Sequence, residues 1–100
     1  MSAPPPAPDL TVACQPREGG GWTCSVTVGA DAGATTHDVG VDRATLDDLA
    51  PGGEPDDLVR ASFGFLLERE PRESIMRSFE LPIIGRFFAD YADEIRRRVG

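Results

Sequence analysis

Residues 54–70, EPDDLVRASFGFLLERE, constrain this chain more than any other stretch. Val59, Phe63, Leu66 and Leu67 recur at i, i+4, i+7 and i+8, the spacing that gathers apolar side chains on one helical face. Pro55 suits the first helical position, where its missing N–H costs no hydrogen bond. Asp56 and Asp57 set negative charge against the positive end of the helix dipole. Pro71 disfavours helical geometry at Glu70 and marks the end. Leu58 and Phe65 project roughly 100 to 120° away from the stripe at 3.6 residues per turn. A helix apolar over so wide an arc is either covered on two sides, by a sheet and by a later helix, or presents Phe65 to a partner.

The chain before this helix supplies the sheet. Leu10, Val12 and Cys14 alternate with polar or small residues, QPREGGG turns, and Trp22, Cys24, Val26 and Val28 alternate back. A hairpin centred on Gly19 sets Cys14 opposite Cys24, Val12 opposite Val26 and Leu10 opposite Val28, which places every apolar member on one face. After GADAGAT, the alternation of His37, Val39 and Val41 predicts a third antiparallel strand, with His37 beside Val28. Asp42 caps a short helix over residues 43–49. Pro71 opens a second short helix through ESIMRSF. Pro82 opens a last one, in which Ile84, Phe88, Tyr91 and Ile95 form a stripe flanked by Phe87. The expected fold is α+β: a three-stranded antiparallel meander followed by helices packed on one face. Residues 1–8, rich in Pro and Ala, are expected to be a disordered tail, and residues 9–100 a single domain.

The run LVRASFGFLLEREPRESIMRSFELPIIGRFFADYADEI, residues 58–95, resembles the C-terminal part of a small family of uncharacterised bacterial proteins, mainly actinobacterial. The APGG segment at residues 50–53 and the strand before it resemble that family more loosely. Similar sequences often have Phe-Pro where this chain has Phe88 and Ala89. The resemblance implies an independently folding bacterial domain and carries no functional residue across.

Composition narrows the classes of function. An apolar fraction of 40% and a charged fraction of 27% are those of a globular chain. No run approaches the roughly 18 apolar residues that span a bilayer. The opening MSAPPPAPD lacks the basic and apolar parts of a signal peptide, so the reading is cytoplasmic, with no membrane partner. A net charge of −7 opposes general affinity for nucleic acid. The one basic run, Arg96, Arg97 and Arg98, falls at the C-terminal end of the last helix, where the dipole favours cations.

No constellation in the sequence carries chemistry. Opposed cysteines in a hairpin can lie within disulfide reach, but a cytoplasmic setting argues that Cys14 and Cys24 stay reduced as small apolar groups. His37 is the only histidine, too far from Cys24 in the expected register to share a zinc ion, and is read as a surface or edge residue. Acid pairs at Asp47/Asp48, Asp56/Asp57 and Asp93/Glu94 suit solvated helix faces and first turns. REGGGW joins two antiparallel strands and does not lead into a helix, so it is no phosphate loop. The sequence therefore offers no catalytic, cofactor-binding or metal-binding residue. It points to a non-enzymatic interaction or accessory module of a cytoplasmic assembly, docking a protein partner or a second copy through a surface around Phe65 and Phe87. The alternative is a small-ligand or enzymatic pocket between sheet and helices, lined by Phe, Trp and two convergent acids.

Overall fold

A computed structural model describes residues 9–29 and 32–99. The expected Pro/Ala tail lies outside the described residues. Strands β1 (Leu10–Pro16) and β2 (Trp22–Val28) form the hairpin in the expected register, Cys14 against Cys24, Val12 against Val26 and Leu10 against Val28. The turn carries three consecutive glycines with positive φ, at 85°, 100° and 80°. Gly21 is the demanding one, because a Cβ there would stand 2.4 Å from the Val41 carbonyl oxygen and 2.8 Å from the Asp42 Cα. Backbone strain and a backbone clash coincide, so Gly21→Ala is expected to cost about 1 to 3 kcal/mol. Gly19→Ala shares the strain without the clash, and urea denaturation of the two variants separates the two contributions.

Strand β3 (Thr35–Val41) runs antiparallel to β2, but two residues out of the expected register: Val28 faces Thr35, and His37 lies beside Val26. The strand begins one residue earlier than the loop signal implied, and the alternation cannot detect an even shift. A shift of two leaves each side chain on its face, so His37, Val39 and Val41 join Cys24, Val26 and Val28 in the core.

The larger correction is a fourth strand. The segment expected as a helix through ESIMRSF is a 3₁₀ turn at Arg72–Ser74 followed by β4 (Ser78–Glu80). β4 pairs parallel to β3, Val39 with Phe79, so the sheet is mixed, four-stranded and ordered β1-β2-β3-β4. A parallel neighbour requires a crossover, supplied here by α1 (Arg43–Leu49) and α2 (Pro55–Leu67). The Asp42 carboxylate caps α1 by accepting from the Thr45 N–H at 2.8 Å, and the Thr45 hydroxyl first, then that N–H, hold its pKa below the usual carboxylate value.

α2 starts at Pro55 as expected and ends at Leu67, short of Glu70. Both rows of its apolar arc are covered. Phe63 lies at 5.4 Å from the His37 ring and 6.2 Å from Phe79, against the sheet. Ser62 and Phe65 face α4 (Tyr91–Val99), where the Phe65 ring meets Tyr91 edge-on at 5.4 Å. The Ser62 hydroxyl donates to the Leu58 carbonyl at 2.8 Å, which leaves its oxygen to accept from the Tyr91 hydroxyl at 2.7 Å. The expected last helix is divided into a 3₁₀ turn at Leu81–Ile83, α3 (Ile84–Phe87) and α4. The chain leaves helical geometry at Phe88 (φ −132°, ψ 104°) although Ala89 follows instead of Pro. The bend lets Phe88 and Tyr91 both flank Phe65.

Burial pushes the Tyr91 phenol up to about 12. Tyr91 is the only tyrosine, so its ultraviolet titration is read directly. Tyrosinate absorbance is expected near pH 12 in the folded protein and near pH 10 in denaturant. The folded value lies above the unfolded one, so this contribution to stability is complete below pH about 10 and is lost as the pH rises towards about 12.

Candidate functional site

The structure divides the two rings offered as a partner surface. Phe65 is core, with no exposed area. The Arg69 guanidinium lies 3.6 Å from its ring centroid, Phe88 and Tyr91 flank it, and Arg69 is itself held by Asp90 at 3.1 Å. Phe87, the last residue of α3, is 67% exposed because the chain turns away at Phe88 before another helical turn can cover it.

Among the described residues only one other large apolar side chain is exposed, Met76 at 44%. Met76 and Phe87 line the same groove, of about 180 Å³, with Leu66, Ile75, Phe79 and Ile84 among the walls. Its geometry follows from what fixes each wall. Leu66 belongs to the last turn of α2, Phe79 is the central residue of β4, and Ile84 opens α3. The intervening segment is tied down at consecutive carbonyls: His37 Nδ1–H donates to Met76 O at 2.8 Å, and the Asp38 N–H donates to Arg77 O at 2.7 Å. With Ile75 buried and both carbonyls fixed, the Met76 side chain is held at the groove.

His37 is thereby corrected from a surface or edge residue to a buried one, 1% exposed. A carbonyl only accepts, so Nδ1 carries a proton, and in the neutral ring Nε2 accepts from the Thr35 hydroxyl at 2.9 Å. The histidine is a strut between β3 and the segment that leads into β4. The cysteines are corrected from reduced to bonded: Cys14 and Cys24 form a disulfide, with their Cα atoms 3.9 Å apart. No group of three or more His, Cys, Asp and Glu among the described residues could hold a metal ion. No described helix is long and apolar enough to cross a membrane.

The groove meets the enzymatic description only in part. It has Phe79, Phe87 and Phe88, no Trp, and a single carboxylate, Glu70. Most charge elsewhere is spent on packing. The basic run is engaged with acids throughout: Arg96 with Asp48 at 2.9 Å, Arg97 with Glu94, and Arg98 with both Glu68 oxygens at 2.7 and 2.8 Å. The Arg98 bond also holds Glu68 below the usual carboxylate range. Sequence reasoning missed Met76 as a site residue because it assigned it to a helix that does not form. No family model, curated protein or solved structure matches the chain.

Proposed function

We propose that this domain is a non-enzymatic protein-interaction module and that its contact surface is the groove between the end of α2, β4 and α3. One observation carries the reading: the two exposed large apolar side chains among the described residues, Met76 and Phe87, fall on one concavity and not at scattered positions. Single exposed apolar residues are ordinary, whereas grouped ones at a concave site fit a docking surface. The dimensions suit one or two inserted side chains, so the contact is an anchor in a pocket and not a broad interface.

Phe87→Ser is the decisive variant, because Phe87 is exposed and its loss should leave the fold intact. A partner recovered from host extract by the wild-type domain should, once purified, bind it again and fail to bind Phe87→Ser. Equal binding to both proteins would overturn the reading. The disulfide supports work in an oxidising setting, in place of the cytoplasm implied by the opening residues. Alkylation of protein drawn directly from cells tests this, since thiols that label without reductant would restore the cytoplasmic alternative.

A further inference from the structure

The outer edge of β1 is a second surface that the fold leaves open, and it is independent of the groove. In an antiparallel ladder, residues that bond to the neighbouring strand alternate with residues whose N–H and C=O point away from it. The Gly29 N–H donates to the Asp9 carbonyl at 2.8 Å, so Asp9, Thr11, Ala13 and Gln15 are the residues turned towards β2. Leu10, Val12 and Cys14 direct their backbone groups outward. Two further observations agree. Arg60 of α2 donates to the Leu10 carbonyl at 2.7 Å, and Cys14 and Cys24 have the close Cα approach, 3.9 Å, of a pair without ladder bonds. Among the described residues, nothing meets the N–H or C=O of Val12 and Cys14. The strand is seven residues long and carries no charge, although edges are ordinarily blunted by charged side chains, bulges or a covering segment.

We infer that this edge pairs with the same edge of a second copy of the chain, β1 antiparallel to β1, about a two-fold axis through Val12. The strand is complementary to itself in that register. Val12 meets the partner's Val12 and Leu10 meets the partner's Cys14, so every outward N–H and C=O of the three residues finds its complement. The apolar row Leu10, Val12 and Cys14, only half-buried in one molecule, continues into the same row of the other. On the solvent face Thr11 meets the partner's Ala13, and no charge of β1 opposes another. Proline fixes the centre. Pro8 and Pro16 stand four positions before and after Val12 in the sequence and have no N–H to donate. Centring the axis on Leu10 or on Cys14 would set Val12 against one of them, whereas centring it on Val12 sends both to the ends of the ladder. The Leu10 carbonyl has two acceptor sites and can keep Arg60. The pairing also closes, because it uses the long edge of each sheet and leaves only the three residues of β4 at the other.

Sedimentation of the full chain over a series of concentrations should show a monomer–dimer equilibrium. Hydrogen exchange at the Leu10, Val12 and Cys14 amides should slow in the dimer, while the Thr11 and Ala13 amides, already bonded to β2, should change little. Two double variants test the register at exposed positions. Thr11→Lys with Ala13→Lys sets like charges opposite one another across the axis and should weaken the dimer roughly two- to thirtyfold. Thr11→Lys with Ala13→Glu sets opposite charges in the same places and should restore it. Cooperative thermal melts of both variants show that the hairpin still stands. A wild type that stays monomeric at every concentration overturns the inference, as does equal dimerisation of the two double variants. A dimer that Phe87→Ser dissolves and the paired lysines leave intact also overturns it, and moves the contact of the two copies to the groove. Phe87 has no part in the edge pairing, so the groove reading stands or falls separately.

Discussion

Replacing Phe63 with Ala is expected to lower the unfolding free energy by about 3 to 5 kcal/mol, a large part of the ~5 to 15 kcal/mol available to a domain. The ring has no exposed area and bridges two strands, touching His37 on β3 and Phe79 on β4. Its removal leaves a void between α2 and the half of the sheet made by these strands, and the aromatic contacts on both sides are lost with the apolar area. In a thermal melt this corresponds to a fall in Tm of roughly 15 °C or more for a domain of this size. A fall of only a few degrees would mean that the sheet and α2 close over the gap. Phe63→Leu, which keeps most of the volume, should retain much of the lost stability.

Reducing the Cys14–Cys24 bond is expected to cost about 3 kcal/mol. The bond closes a ring across 10 positions of sequence, and the loop-entropy relation assigns that much to a ring of about 11 residues. The stabilisation acts mainly by restricting the unfolded chain. Urea curves with and without reductant should therefore show a lower midpoint together with a slightly steeper slope, because the reduced unfolded chain exposes more surface. The folded hairpin should persist in reductant, since seven residue pairs and the packing of β1 on α2 remain. An unchanged midpoint would mean that the hairpin stays closed in the unfolded state without its crosslink.

The sequence disclosed those parts of the fold in which two local signals agree. The hairpin register was readable because a glycine-centred turn and two alternating strands each demanded it, and α2 because Pro55 and Pro71 bracket a helical period. Where only one signal existed, the reading drifted. Ser78–Glu80 is too short to display a period of two, and Ile75, Met76 and Phe79 mimic one turn of helix. The bend at Phe88 has no proline to announce it and brings Phe88 against Phe65, a ring that is distant in sequence. The opening residues imply a reducing compartment, whereas the directly opposed positions of Cys14 and Cys24 permit the bond that forms. The groove was illegible for a related reason: its walls come from the segments whose local signals were ambiguous. Phe65 and Phe87 look alike in the sequence, each off a main stripe, and only the path of the chain after Phe88 decides which is buried.

The parallel pairing of β4 with β3 ties this surface to the history of the whole chain. Residues 42–77 separate the paired strands, so that contact closes a far longer loop than either hairpin and forms more slowly. The groove draws its walls from α2, β4 and α3, so Leu66, Met76, Phe79 and Phe87 line one concavity in the assembled fold. A segment that bound there and not to the unfolded chain would pull the folding equilibrium towards completion by mass action.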